Sequence, residues 1–141
     1  KNIILNLWPK NQISKPYVVC TGGEPLLQMD DNLIHSIHDA GFEIGIETNG
    51  TVSPPKNIDW VCVSPKAKTD LVITKGNELK IVYPQYGINP RMYENLEFEH
   101  FFIQPMDGKD QKKAIKKSEE FVMRYPLWKL SLQTHKIMGI P

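Results

Sequence analysis

A chain of 141 residues with a formal charge of +1 is the size of one domain, long enough to bury about two thirds of its unfolded surface. Its 40% hydrophobic and 23% charged residues exclude the disordered and fibrous classes, and the near-neutral balance gives no electrostatic case for a nucleic acid or a membrane surface. A small or neutral partner is the default. No apolar run nears the roughly 20 residues of a membrane span, and no basic-then-apolar leader precedes the first strand, so a soluble, cytoplasmic protein is expected. The two cysteines, Cys20 and Cys62, both sit in apolar strand-like runs, which suits reduced, buried thiols better than a disulfide framework or a metal knuckle.

Lys1 to Pro16 holds an apolar patch, Ile3, Ile4, Leu5, Leu7 and Trp8, followed by the breakers Pro9, Asn11 and Pro16. It reads as the tail of a helix or strand whose start lies upstream. Tyr17 to Cys20 then has the length and β-branched composition of a buried strand, and it runs into Thr21, Gly22, Gly23, Glu24 and Pro25. Paired glycines can take positive φ and let a ligand lie against bare amides, while Pro25 suits the first turn of a helix. A loop of this kind at the carboxyl end of a strand is where α/β proteins bind small ligands. The Gly-Gly pair alone equally fits an ordinary tight βα turn.

Asp30, Asp31 and Asn32 form a helix-capping cluster, and Leu33, Ile34 and Ile37 recur at helical spacing up to the stop at Gly41. His35 and His38 stand three apart on that helix; with no third ligand nearby they read as part of a solvated face and not a metal site. Phe42 to Ile46 is the second strand and delivers Glu47 to Thr51 to its end. After Pro54 and Pro55, Ile58 to Val63 is the third strand, ending in Ser64, Pro65, Lys66, Ala67 and Lys68. The turn Lys75 to Asn77 precedes a fourth strand, Glu78 to Val82. Pro90 to Leu96 is a short helical segment, and His100 to Ile103 is a fifth strand opening into Gln104, Pro105, Met106, Asp107 and Gly108. From Asp110 to Tyr125, Ala114, Ile115, Phe121, Val122 and Tyr125 line one helical face opposite a lysine cluster. Interleaved Asp110, Glu119 and Glu120 make that cluster a solvated face and not a nucleic-acid site. A last apolar segment, Leu127 to Leu132, leads to Gln133, Thr134, His135 and Lys136. Neither a repeat nor an interdomain linker interrupts residues 1–141, so one α/β domain is expected.

Four strands thus end in polar loops: Thr21 to Glu24, Glu47 to Thr51, Ser64 to Lys68 and Gln104 to Asp107. In a parallel βα array every carboxyl end lies at one edge, so these loops should converge on a common site.

GGEP after an apolar strand resembles the motif with which radical S-adenosylmethionine enzymes hold the methionine end of that cofactor. The ordered set VCTGGEPLLQ, IETNGT, VSPKAK, LKIVYP, FIQPMDG and LSLQTHK resembles, more narrowly, the 7-carboxy-7-deazaguanine synthases of queuosine and deazapurine biosynthesis. The resemblance runs from about Tyr17 to the C-terminus. It implies the later, mostly parallel strands of a trimmed partial (β/α) barrel, and conversion of 6-carboxy-5,6,7,8-tetrahydropterin to 7-carboxy-7-deazaguanine with loss of ammonia. In the family, reductive cleavage of S-adenosylmethionine yields a 5′-deoxyadenosyl radical that abstracts hydrogen from the pterin, and ring contraction follows.

By position, the resemblance makes Gly23 the acceptor of the methionine amino group, with Glu24 supporting the loop. Ser64, Pro65 and Lys66 match the second S-adenosylmethionine contact, and Gln104, Pro105, Met106 and Asp107 the third, near adenine and ribose. Thr21, His135 and the terminal carboxylate of Pro141 match substrate contacts. Glu47 is the candidate catalytic carboxylate, since an acceptor on a rigid strand end can take hydrogen bonds from ring nitrogens and assist proton transfer. The resemblance also implies a 4Fe-4S cluster, Mg2+ at the substrate carboxylate, a one-electron donor such as flavodoxin or ferredoxin, and a homodimer.

One departure is severe. The superfamily binds its cluster through three closely spaced cysteines after the first barrel strand, and this sequence has no such loop. Together with the Lys1 start, that absence leads us to expect the C-terminal part of a longer enzyme, inactive alone, whose N-terminal strand and cluster and Mg2+ ligands lie elsewhere; no metal ligand is assigned within this chain. Two other classes fit parts of the pattern: a cluster-free α/β binding module using Gly22 and Gly23 as an anion nest, and a cysteine hydrolase with Cys20 as nucleophile, which lacks a motif placing a histidine beside it.

Overall fold

The computed structural model describes residues 2–9 and 13–140. Six strands, β1 (Tyr17–Cys20), β2 (Glu43–Thr48), β3 (Trp60–Val63), β4 (Lys75–Tyr83), β5 (Glu97–Pro105) and β6 (Trp128–Leu130), form one sheet in the order β1-β2-β3-β4-β5-β6. Every pairing is parallel. Parallel strands laid down in chain order with right-handed crossovers keep their connections on one face, which is the architecture of a barrel arc. The expected α/β class with a partial (β/α) barrel is what is seen.

The covered face is built from alternate strand residues. Ile44, Ile46, Val63, Leu79, Ile81, Phe101 and Ile103 are buried there, in one cluster with Ile34 and Ile37 of α2 (Asp31–His38). On the same cluster α3 (Gln111–Arg124) packs Phe121 and Val122, and Ser118 Oγ donates to the Tyr83 carbonyl at 3.5 Å. Burying a side chain of this size is worth about 1.5–3 kcal/mol, so this layer holds the arc. α2 starts where expected: Asp30 accepts from the Leu33 amide at 2.8 Å, and Gly41 at φ +84° ends the turn.

The opposite, inner face mixes charged and apolar groups. Registration sets Glu47 beside Cys62, Cys62 beside Glu78, and Glu78 beside His100, while Lys80 pairs with Phe102 and Val82 with Gln104. Tyr17, Val19 and Trp60 line a groove on it together with Glu47, Cys62 and Glu78.

Several boundaries differ from expectation. The apolar patch near the start is a helix, α1 (Asn2–Leu7), with Ile4 and Trp8 packed on the core. Lys75 to Asn77 is not a turn but the start of β4. Within that strand Gly76 is closely packed, since a Cβ would fall 3.0 Å from Phe98 and 3.2 Å from the Val61 carbonyl, and Asn77 Oδ1 accepts from the Val61 amide at 2.9 Å. β5 runs from Glu97 to Pro105, wider than His100 to Ile103. Proline is tolerated as its last residue because alternation turns that nitrogen toward β6, whose pairing stops at Ile103 with Leu130. Pro90–Tyr93 is a 3-10 turn, and the last apolar segment is β6, whose Trp128 is buried against Phe101 and Phe121. A short helix, α4 (Thr134–Ile137), follows. No helix among the described residues is long and apolar enough to cross a membrane.

Candidate functional site

At the carboxyl edge of the arc lies a cleft of about 490 Å³, to which β2, β4, β5 and the segments after β1, β3 and β6 contribute residues. Its first wall is the glycine loop. Gly22 and Gly23 take φ +81° and +56°, and a Cβ on either would meet nothing within 4 Å. Glycine is needed there for its left-handed backbone and not for room. The open space beside these residues is a cradle that suits a ligand lying on backbone.

Glu24 holds the loop in place. Its Oε1 accepts from Thr48 Oγ1 at 2.6 Å and from the Leu26 amide at 3.2 Å, and its Oε2 accepts from the Asn49 amide at 2.8 Å. The end of β1 is thereby fastened to the end of β2. The following loop is pinned in turn: Asn49 Oδ1 accepts from the Thr51 amide and hydroxyl (2.9 and 2.7 Å), and the Ser64 amide donates to the Thr48 carbonyl at 2.7 Å. Gly50, at φ +80°, has no space for a side chain, since a Cβ would fall 2.5 Å from Leu71 and 2.7 Å from Val63.

The charged centre of the cleft is Glu47 with Lys80, whose Nζ donates to Glu47 Oε1 at 2.7 Å. Burial pulls the Lys80 ammonium down, but the hydrogen bond it donates to Glu47 and the negative groups around it carry its pKa above the ordinary lysine value. Below the pair, burial pushes the Cys62 thiol up to about 12. Burial also raises the Cys20 thiol, which packs on the core face of β1. Neither position favours a thiolate nucleophile.

Of the residues singled out in the sequence, Thr21, Gly23, Glu47, Ser64, Lys66, Gln104 and His135 line this one cleft. Glu24, Pro65, Pro105, Met106 and Asp107 do not. Glu24 turns into the loop bonds just described, Pro65 and Pro105 are buried, and Met106 and Asp107 border a neighbouring groove beside Pro84 and Lys113. The Asp107 carboxylate is engaged by Lys136 of α4, by the Gly108 amide at 2.9 Å and by Gln111 Nε2 at 3.2 Å, and these contacts hold it below the usual carboxylate range. Pro141 lies outside the described residues.

Sequence reading missed Lys80, Val82 and Ser131 to Thr134 as cleft residues. For Lys80 a signal existed: Glu78 and Lys80 alternate with Leu79 and Ile81, which puts two charges on one face of a central strand. His35 and His38 are no metal pair. His35 Nδ1 lies 2.6 Å from the Asp31 carbonyl, and His38 Nε2 lies 2.9 Å from Asp59 Oδ2.

The fit of the implied cofactors can be tested on these residues. The open glycine cradle and the hydroxyl and amide groups around it suit a small zwitterion with a nucleoside. An iron-sulfur cluster does not fit, since Cys20 and Cys62 project to opposite faces of the sheet. No group of three or more histidine, cysteine, aspartate or glutamate residues that could hold a metal ion, Mg2+ included, occurs among the described residues.

Fold and cleft define the class: an α/β protein whose parallel strands form a barrel arc and present one ligand site at their carboxyl ends. The chain is 51% identical over 125 residues to the 7-carboxy-7-deazaguanine synthase of Bordetella pertussis, 53% over 124 residues to that of Bradyrhizobium diazoefficiens, and 50% over 138 residues to that of Burkholderia multivorans. These alignments take in 89%, 88% and 98% of the chain but 60%, 59% and 65% of the relatives. In structure it is similar to QueE from Escherichia coli, with a TM-score of 0.62 at 26% identity over 83% of this chain and 56% of that one. No family model matches. By sequence and by fold, the chain is similar to 7-carboxy-7-deazaguanine synthases, and it spans about three fifths of the length of the relatives it matches.

Proposed function

We propose that the protein carrying this chain is a radical S-adenosylmethionine carbon-nitrogen lyase that forms 7-carboxy-7-deazaguanine from 6-carboxy-5,6,7,8-tetrahydropterin, releasing ammonia, in queuosine biosynthesis. The observation that carries this reading is the meeting of a braced glycine cradle and a Glu47–Lys80 pair in one cleft of about 490 Å³, in a chain half identical to synthases of that product.

In this reading the Gly23 carbonyl accepts from the methionine amino group, while Ser64, Lys66 and Gln104 border the nucleoside. Pro65, Pro105, Met106 and Asp107 shape the walls behind them, and Glu24 keeps the cradle rigid through Thr48 and Asn49. Thr21, Glu47 and His135 face the pterin, with the Pro141 carboxylate as a further acceptor. Glu47 accepts from ring N–H groups and can hold a proton at its carboxylate. Bound S-adenosylmethionine supplies the hydrogen-abstracting radical chemistry, and the residues of this chain orient it and exclude water. The cluster and Mg2+ ligands belong to parts of the protein outside this chain, which on this reading is inactive by itself. A cytoplasmic homodimer served by a flavodoxin or ferredoxin donor completes the proposal.

The test is anaerobic reconstitution of the full-length protein with iron and sulfide, followed by incubation with the pterin, S-adenosylmethionine and a reductant, and mass detection of the product. Deazaguanine product is expected. A protein that takes up no iron and forms no product overturns the reading in favour of a binding module.

A further inference from the structure

Each carboxylate on or beside the inner face has a distinct partner. Glu78 accepts from Trp60 Nε1 at 2.8 Å, Glu43 from Lys15 at 2.6 Å, and Glu24 from Thr48 and Asn49. Glu47 instead lines the cleft and is met there by a lysine from two strands away. The Lys80 side chain is 16% exposed and that of Glu47 47%. The ammonium is the deeper group, and the carboxylate stands at the cleft surface. A lysine this deep is costly unless paired, so the fold does not place it there for solubility. Its bond to Glu47 uses Oε1, and Oε2 has no hydrogen-bond partner among the described residues.

We propose that Lys80 is a positioning residue for Glu47, holding one carboxylate oxygen so that the other recognises an N–H on the edge of the ligand's heterocycle. This rests on the substrate reading above. A glutamate side chain has three rotatable bonds, and a carboxylate that must meet ring N–H groups loses affinity if it samples several rotamers. Lys80 removes that freedom from beneath by holding one oxygen, so that the other points into the cleft. The assignment differs from a plain structural ion pair in one respect: it predicts that the effect of Lys80 on the ligand passes through Glu47.

The experiment is a double-mutant cycle on the full-length protein, titrated with 6-carboxypterin, a fluorescent relative of the proposed substrate. Lys80→Met should weaken 6-carboxypterin by about tenfold, leaving S-adenosylmethionine affinity and Tm near their original values. Lys80→Arg, which keeps a charged donor, should recover most of the loss. The Glu47→Gln/Lys80→Met double variant should bind within about twofold of Glu47→Gln alone, since residues acting as a unit are not additive. Should Lys80→Met not fold, Lys80→Gln completes the same cycle. Losses that multiply in the double variant, or Lys80 variants that bind as tightly as the original, overturn the inference while leaving the substrate reading standing. An original protein that binds no 6-carboxypterin overturns both.

Discussion

Thr48 donates its hydroxyl to Glu24 across 2.6 Å, joining the glycine loop after β1 to the end of β2. Thr48 is 3% exposed, so the bond is shielded from competing water, and a hydrogen bond to a charged group contributes about 1.5–3 kcal/mol. Thr48→Val keeps the shape but removes both this donor and the acceptor that the same oxygen offers the Gly50 amide at 3.1 Å. Urea unfolding should show a loss in that range, and calorimetry on the full-length protein should show weaker S-adenosylmethionine binding. Unchanged affinity in a destabilised variant would mean that the cradle does not depend on this brace.

Gly23 and Gly41 offer a matched comparison. Both have positive φ (+56° and +84°), and at both a Cβ would meet nothing within 4 Å. An alanine at either pays about 1 kcal/mol of left-handed strain. Only Gly23 lines the cleft. Gly23→Ala should therefore lose S-adenosylmethionine affinity by tenfold or so while Gly41→Ala loses stability alone. Equal binding by the two variants would remove Gly23 from the cofactor site.

Asp59 ties three elements together: it accepts from the Ile44 amide at 2.8 Å and sits 2.9 Å from His38 of α2. Burial pushes its carboxyl up, yet the amide and the imidazole outweigh that and hold it below the usual value. A carboxyl lowered in the folded state adds stability that is present above its unfolded pKa, about 3.9, and is lost as pH falls through the folded one. The Tm gap between the original protein and Asp59→Asn should be widest near neutral pH and should shrink below about pH 4. A gap that is constant from pH 7 to pH 3 would assign the effect to shape and not to charge.

Cys62, held at about 12 by burial, is a thiol and not a thiolate at any physiological pH. Alkylation at pH 8 followed by peptide mapping should leave Cys62 unmodified in the native protein and label it after denaturation. Rapid native labelling would show that the floor beneath Glu47 opens.

Much of the site could be read from the chain because parallel strands announce their carboxyl ends with polar residues. Thr21 to Glu24, Glu47 to Thr51 and Ser64 to Lys68 each follow a β-branched run, and each meets the cleft. Lys80 escaped because its neighbours in sequence, Leu79 and Ile81, are core residues; what makes it a site residue is Glu47, two strands away. Gly76 misled for a related reason. It serves close packing against Phe98 and Val61, which looks in sequence like the flexibility of a turn. Glu24 shows the reverse case: the motif was visible, but that its carboxylate faces Thr48 and Asn49 and not the cleft needed the fold.

The order β1-β2-β3-β4-β5-β6 bears on how the molecule comes to be. Each strand pairs with the one made just before it, so the sheet can grow strand by strand as the chain emerges, and no strand waits for a partner several elements downstream. The rim fills in the same sequence. The glycine cradle forms with β1 and is braced once β2 arrives; Glu47 is steadied only when β4 brings Lys80. His135 comes last, on a short helix tied by Lys136 to Asp107 in the segment after β5. A ribosome-bound chain would therefore complete its brace well before its cleft, and binding competence would be among the final properties it acquires.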